Sequence, residues 1–206
     1  MTVPPNGHRV LILFAHPALH RSRVNRGLVR AVRDLEGVTF HDLYEIYPDF
    51  DVDAEHEQEL LERHDLIVLQ HPMYWYSTPA LVKQWEDVVL EHGWAYGANG
   101  TALRGKKMLS VITAGGGATS YTREGLNCFT VAELLAPIAQ TARLCGIEYL
   151  PPYVIHGTHS LGTNDVARMA DEYRRVIVAL RDGTLDLERA RANTHLNDDL
   201  AALLPA

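Results

Sequence analysis

The chain has 206 residues, 47% hydrophobic and 22% charged, which is the profile of one ordinary globular domain with room for a short extension. Its 19 Lys and Arg against 26 Asp and Glu give a formal charge of −7, and neither a basic face nor a basic tail is evident, which argues against a general nucleic-acid or acidic-lipid binder while leaving room for a local basic spot for a phosphate. Two cysteines outside any CxxC pair suit a reducing compartment. The lack of a signal-like or membrane-spanning run leads us to expect a cytoplasmic protein.

The apolar run His8–Ala15 reads as a fully buried parallel strand. Ser22 is placed to cap a helix whose Val24, Leu28, Val32 and Leu35 form one stripe, with Gly37 as its stop. Val38–Tyr44 alternates as a second strand, and Asp53 can cap an acidic helix ending near His64. Asp65–Gln70 is a third strand. Thr78-Pro79 then suggests an N-cap followed by proline at the first helical position. In that helix Leu81, Val82, Trp85, Val88 and Val89 form the buried stripe, which makes Trp85 a core residue. Lys106–Gly117 reads as a fourth strand running into a glycine turn, Val131–Gly146 as one helix, Ile147–Gly157 as a broken fifth strand, and Asn164–Arg181 as a final helix. Strands alternating with helices imply a doubly wound parallel α/β sheet over residues 1–183, followed by a mostly helical tail over 184–206.

In such sheets ligands bind beyond the carboxyl ends of the strands. Three strand-end loops are chemically distinctive: AHPALHRSRVN, HPMYWYSTP and TAGGGATSY. If the strand order is 2-1-3-4-5, the first, third and fourth strands are neighbours and these loops converge. The first opens a helix, whose unpaired N–H groups suit a phosphate. Ser22 and Asn25 could add hydrogen bonds and His16 or Arg23 charge, although Ser22 could equally be a simple cap and His16 a strand end. The consecutive aromatics of the second loop could pack against a planar heterocycle, a core or a subunit. The glycines of the third supply positive φ or close backbone approach, and Tyr121 offers a phenol. No Walker, GxGxxG, HExxH or GxSxG pattern is present, which disfavours P-loop, dinucleotide, zinc and serine-hydrolase chemistry; no metal is expected. A phosphate-bearing planar ligand remains, and flavin is the economical candidate.

The stretches LFAHP…SRVN, YPDFDVD, DLIVLQHPMYWYSTPALVKQW, EHGWAYG…GTALRGKK and TAGGG resemble the flavodoxin-like NAD(P)H:quinone oxidoreductases, with the strongest likeness to the Kef-type ancillary proteins of glutathione-regulated potassium efflux. The resemblance implies a flavodoxin-like three-layer sandwich around a five-stranded parallel sheet. It also implies a homodimer that uses FMN, or alternatively FAD, to carry a hydride from NAD(P)H to a quinone. His16, Ser22, Arg23, Val24 and Asn25 would then hold the flavin phosphate. Met73, Tyr74, Trp75 and Tyr76 would contact the ribityl chain and ring edge, and Thr113, Ala114, Gly115 and Gly116 the pyrimidine end. Gly115 and Gly116 would stabilise developing charge there, and Tyr121 would assist hydride transfer. Where related enzymes pair that tyrosine with histidine, this chain has Asn127; with Tyr96 it is assigned to the substrate side, Tyr96 reaching across a dimer. The alternative expectation is a regulatory subunit of a potassium/proton antiporter, seated at the inner membrane face through its partner.

Overall fold

The computed structural model describes residues 7–205; positions 1–6 and 206, the ends of the expected domain and tail, lie outside the described residues. Six parallel strand segments form the sheet: β1 (Val10–Phe14), β2 (Val38–Asp42), β3 (Leu66–Pro72), β4 (Lys107–Thr113), β5 (Glu148–Tyr149) and β6 (Tyr153–Ile155). The order is β2-β1-β3-β4-β5, with β6 also paired to β4, so the two short pieces together occupy the fifth place. Their separation at Leu150-Pro151-Pro152 follows from chemistry: a proline has no N–H to give the ladder. The parallel order 2-1-3-4-5 is therefore the observed one, and helices cover both faces.

Strand alternation sorts the core into two layers. Val10, Ile12 and Phe14 face α1 (Arg23–Val32) and α7 (Thr163–Asp182), whereas Leu11 and Leu13 face the layer containing α3 (Ala54–Glu62), α4 (Ala80–Val89) and α6 (Ala136–Leu144). All seven residues of β3 and the last six of β4 are buried, as expected for strands covered on both faces. Trp85 is core, 3% exposed, and its indole N–H donates to Glu57 at 2.8 Å.

Several expected boundaries shift. The first strand is shorter than His8–Ala15, and α1 ends at Val32, with Leu35 buried in the turn that follows. The second strand stops at Asp42 because the Asp42 side chain accepts from the N–H groups of Tyr44 and Glu45 and starts the short helix α2 (Leu43–Ile46). Thr78 does not cap the next helix. Pro79 itself takes the N-cap position, and the Tyr44 hydroxyl meets the Leu81 N–H at 3.4 Å. The expected single helix Val131–Gly146 is split into α5 (Val131–Leu134) and α6, because Pro137 in the first turn of α6 has no N–H to bond back into α5. Beyond Gly183, which ends α7 with φ +67°, the chain forms α8 (Leu187–Ala190), a 3-10 turn (Leu196–Asp199) and α9 (Leu200–Leu203). Leu185, Ala190, Leu196 and Leu203 are buried in the same core layer as α1 and α7.

Candidate functional site

At the carboxyl ends of β1, β3 and β4 lies a cleft of about 680 Å³, lined by all three distinctive loops. Its first wall is the start of α1. The Ser22 Oγ accepts from the Asn25 N–H at 3.2 Å and from Asn25 Nδ2 at 3.1 Å, so the capping role is real. Capping consumes one first-turn N–H; those of Arg23 and Val24 have no partner within the helix, and both residues line the cleft. Asn25 also donates to Thr113 Oγ1 at 2.9 Å, while its own Oδ1 is buried without a partner. The Arg23 guanidinium is tied to the Leu161 carbonyl at 2.9 Å, which holds its charge at the rim. His16 is 5% exposed, and its Nδ1 accepts the Ala18 N–H at 3.0 Å. Burial pulls its pKa below the ordinary imidazole value, so it presents a neutral ring at neutral pH.

The second wall is HPMYWYSTP. Tyr74 and Ser77 exchange N–H···O bonds at 3.0 Å in both directions, and the two residues between them, Trp75 and Tyr76, have φ of 49° and 65°. Mutual pairing around two left-handed residues is the signature of a type I′ turn, normally built from Asn and Gly. Building it from Trp and Tyr costs roughly 1–3 kcal/mol per residue. The result is an aromatic tip held out into solvent, with Trp75 93% exposed beside the half-exposed Tyr74 and Tyr76. The Met73 N–H donates to the Thr113 carbonyl at 2.8 Å, joining this wall to the next.

The third wall is the glycine turn. Contrary to one expectation, Gly115, Gly116 and Gly117 do not have positive φ; it is close approach that requires them. A Cβ on Gly115 would fall 2.6 Å from His159 Nε2, and one on Gly116 would fall 3.1 Å from Tyr121 Cε2. Beyond Thr113 the turn is laced to the segment after β6: Ala114 N–H to the Ile155 carbonyl (2.8 Å), Gly157 N–H to Gly116 (2.9 Å) and Thr158 N–H to Ala114 (3.1 Å). Tyr121 packs over Gly116. Burial first, then the neighbouring Tyr76, raises its phenol pKa against the opposing pull of the Gly116 backbone, so the hydroxyl keeps its proton.

Of the sequence candidates, His16, Ser22, Arg23, Val24, Asn25, Met73, Tyr74, Trp75, Tyr76, Thr113, Gly115, Gly116 and Tyr121 line this one cleft. Ala114 does not; it is fully buried beneath the turn. Tyr96 lines a different hollow of about 550 Å³ beside Ser77, Glu86 and Leu134, where burial pushes the Glu86 carboxyl up to about 7. Asn127 lines neither hollow, and its N–H donates to the Ser120 carbonyl at 3.0 Å. Sequence reasoning missed Arg21, Pro72, Thr158 and His159. Thr158 and His159 were detectable in principle, since HGTHS follows the strand beside β4 and is a strand-end loop like the other three.

The arrangement suits a flavin phosphate and ring. The unpaired first-turn N–H groups of α1 can meet a phosphate, and the exposed aromatics of the second wall can meet a planar ring across the same cleft. Comparisons with known proteins agree. A relative from Enterobacter sp. (strain 638), the glutathione-regulated potassium-efflux system ancillary protein KefF, is 45% identical over 166 residues, 81% of this chain and 93% of that protein. The structure of general stress protein 14 from Treponema denticola in complex with FMN has a TM-score of 0.80 at 40% identity, covering 84% of this chain and 99% of that one. An NADPH-quinone reductase from P. pentosaceus has a TM-score of 0.74 at 33% identity, covering 82% and 96%. The Flavodoxin_2 model, described as a flavodoxin-like fold, matches residues 8–178, and the chain belongs to that family.

Proposed function

We propose that this chain is an FMN-dependent NAD(P)H:quinone oxidoreductase that passes two electrons as hydride, with nicotinamide and quinone using one slot in turn. The convergence of the α1 N-terminus, the aromatic loop and the glycine turn on one cleft carries this reading. The names of the relatives, a reductase, an FMN complex and an ancillary protein, support it.

Ser22, Arg23, Val24 and Asn25 would hold the phosphate, with His16 as a neutral neighbour. Met73 and the three aromatics after it would cover the ring edge. The bound flavin supplies hydride acceptance and donation; the protein's task is to position it and keep water off. Backbone N–H groups at Gly115 and Gly116 would oppose negative charge arriving at the pyrimidine end. The Tyr121 phenol would donate toward that edge or toward a quinone oxygen.

Tyr96 and the exposed aromatic tip would be completed by a second copy of the chain in a homodimer. Among the described residues no helix is long and apolar enough to cross a membrane. We infer a cytoplasmic location. The potassium-efflux name of one 45% identical relative favours a second reading, docking on an antiporter at the inner membrane face. Co-purification with such a membrane protein tests it. For the enzyme reading, purified protein should take up FMN and oxidise NADH or NADPH in the presence of menadione; flavin-loaded protein without turnover would contradict it.

A further inference from the structure

Behind the glycine turn lies a histidine that lines neither hollow. His156 follows β6 directly, and both of its ring nitrogens are buried without a hydrogen-bond partner. Its ring lies 5.4 Å from that of Tyr121 on one side and 5.8 Å from that of His195 on the other. His156 is partly exposed as a residue, but an imidazole with both nitrogens buried and unpaired destabilises a fold relative to an apolar ring of similar size. Packing alone therefore gives no reason to have a histidine there.

The segment that covers it lies beyond the family match, which ends at residue 178. The Asn197 side chain pairs with the Val154 backbone in both directions, each bond 2.9 Å, as another strand would. The Leu196 N–H donates to the Pro152 carbonyl at 2.9 Å. These contacts clamp β6, and β6 carries His156. The Asp198 carboxylate accepts from the His195 N–H at 2.8 Å and lies 3.2 Å from its Nδ1, fixing that ring against His156. The groups that face His156 are Tyr121 from the turn, the Gly116 backbone, and His195 and Asp198 from the C-terminal segment. Burial and then the nearby His195 lower its proton affinity, against weaker opposite pulls from Gly116 and Asp198, so its resting form is neutral.

We propose that His156, seated by the C-terminal segment, takes up one proton when reduction brings negative charge into the cleft and releases it when that charge leaves. This rests on the flavin reading above. The balance closes. Hydride brings two electrons and one proton, the nicotinamide leaves oxidised, and the cleft gains one negative charge. His156 then binds one proton from solvent, with the partly exposed His195 as the route. When the quinone takes the hydride it becomes a hydroquinone anion, which draws its second proton from solvent and leaves; the imidazolium then returns its own proton to solvent. His156 touches no substrate in this scheme; it is a positioning residue acting across Tyr121 and Gly116. It supplies an imidazole to the tyrosine from a different strand than the Asn127 position would.

The test is NMR titration of 15N-histidine-labelled, FMN-loaded full-length protein, with the His156 ring assigned by through-bond correlation. It is run with the flavin oxidised and then reduced by dithionite. Reduction should raise the His156 midpoint by about one pH unit or more, about tenfold in proton affinity. His195→Phe, which keeps the aromatic cover, should preserve the shift, and His195→Ala, which uncovers the ring, should shrink it. An equal midpoint in both states overturns the inference while the flavin reading stands. Protein that binds no FMN overturns both.

Discussion

Asn25 at the start of α1 and Thr113 at the end of β4, 88 positions apart, are joined by a 2.9 Å hydrogen bond from the amide to the threonine hydroxyl. One side chain thus ties the α1 wall of the cleft to its glycine wall, while its unpaired Oδ1 remains buried. Replacing it removes the tie and leaves Thr113 short of a donor. Asn25→Ala should weaken FMN binding about tenfold, consistent with about 1–2 kcal/mol for a lost buried hydrogen bond. Fluorescence quenching on titration with FMN measures this, and wild-type affinity would remove Asn25 from the site.

The glycine turn offers a graded comparison. A side chain on Gly116 would enter the space of Tyr121, whereas a Cβ on Gly117 would meet nothing within 4 Å. Gly116→Val should reduce FMN affinity at least about a hundredfold, because a β-branched group both fills the approach path and displaces Tyr121. Gly117→Ala should bind FMN normally. Equal affinities in the two variants would contradict the close-approach account.

Tyr121→Phe should retain flavin and slow quinone reduction by about a hundredfold, the low end for loss of a positioned proton donor. Because burial holds the phenol above its ordinary pKa, the wild-type rate should show no loss from phenol ionisation up to the ordinary tyrosine pKa of about 10. Steady-state rates across that range check both statements. A variant that turns over as fast as wild type would leave Tyr121 without a chemical role.

A buried carboxylate in the layer of α3 and α4 should control the acid stability. Glu57 is fully buried and accepts from His41 Nε2 (2.6 Å), the Tyr47 hydroxyl (2.7 Å) and the Trp85 indole (2.8 Å). Burial alone would raise its pKa, but the His41 contact and the other donors outweigh it and hold the carboxyl below the ordinary value. A depressed carboxylate stabilises the fold above its unfolded pKa, and that contribution is lost as pH falls through the folded one. Denaturant stability should therefore drop below about pH 4. Glu57→Gln should cost about 3 kcal/mol at neutral pH and flatten that acid limb. An unchanged acid limb in the variant would show that other carboxylates control it.

The parts of this fold that were legible in the sequence are those where one physical signal dominates. Unbroken apolar runs marked β1, β3 and β4, and the Trp85 stripe marked the core face of α4. Boundaries failed where a side chain or a missing N–H decided them: Asp42 ending β2, Pro79 replacing Thr78 as the cap, and Pro137 dividing α5 from α6. The cleft was legible because its three loops leave neighbouring strands, but Thr158 and His159 arrive from the broken fifth strand, which gave a weaker signal. His156 and His195 are 39 positions apart and carry no motif. The Asn197 pairing with Val154 and the Leu196 bond to Pro152 bring them together.

The most direct test of the central claim is the mass of the flavin released by denaturing the purified protein after incubation with FMN and FAD. The account predicts a yellow protein that releases FMN at about one per chain. A colourless protein that retains neither flavin would contradict it.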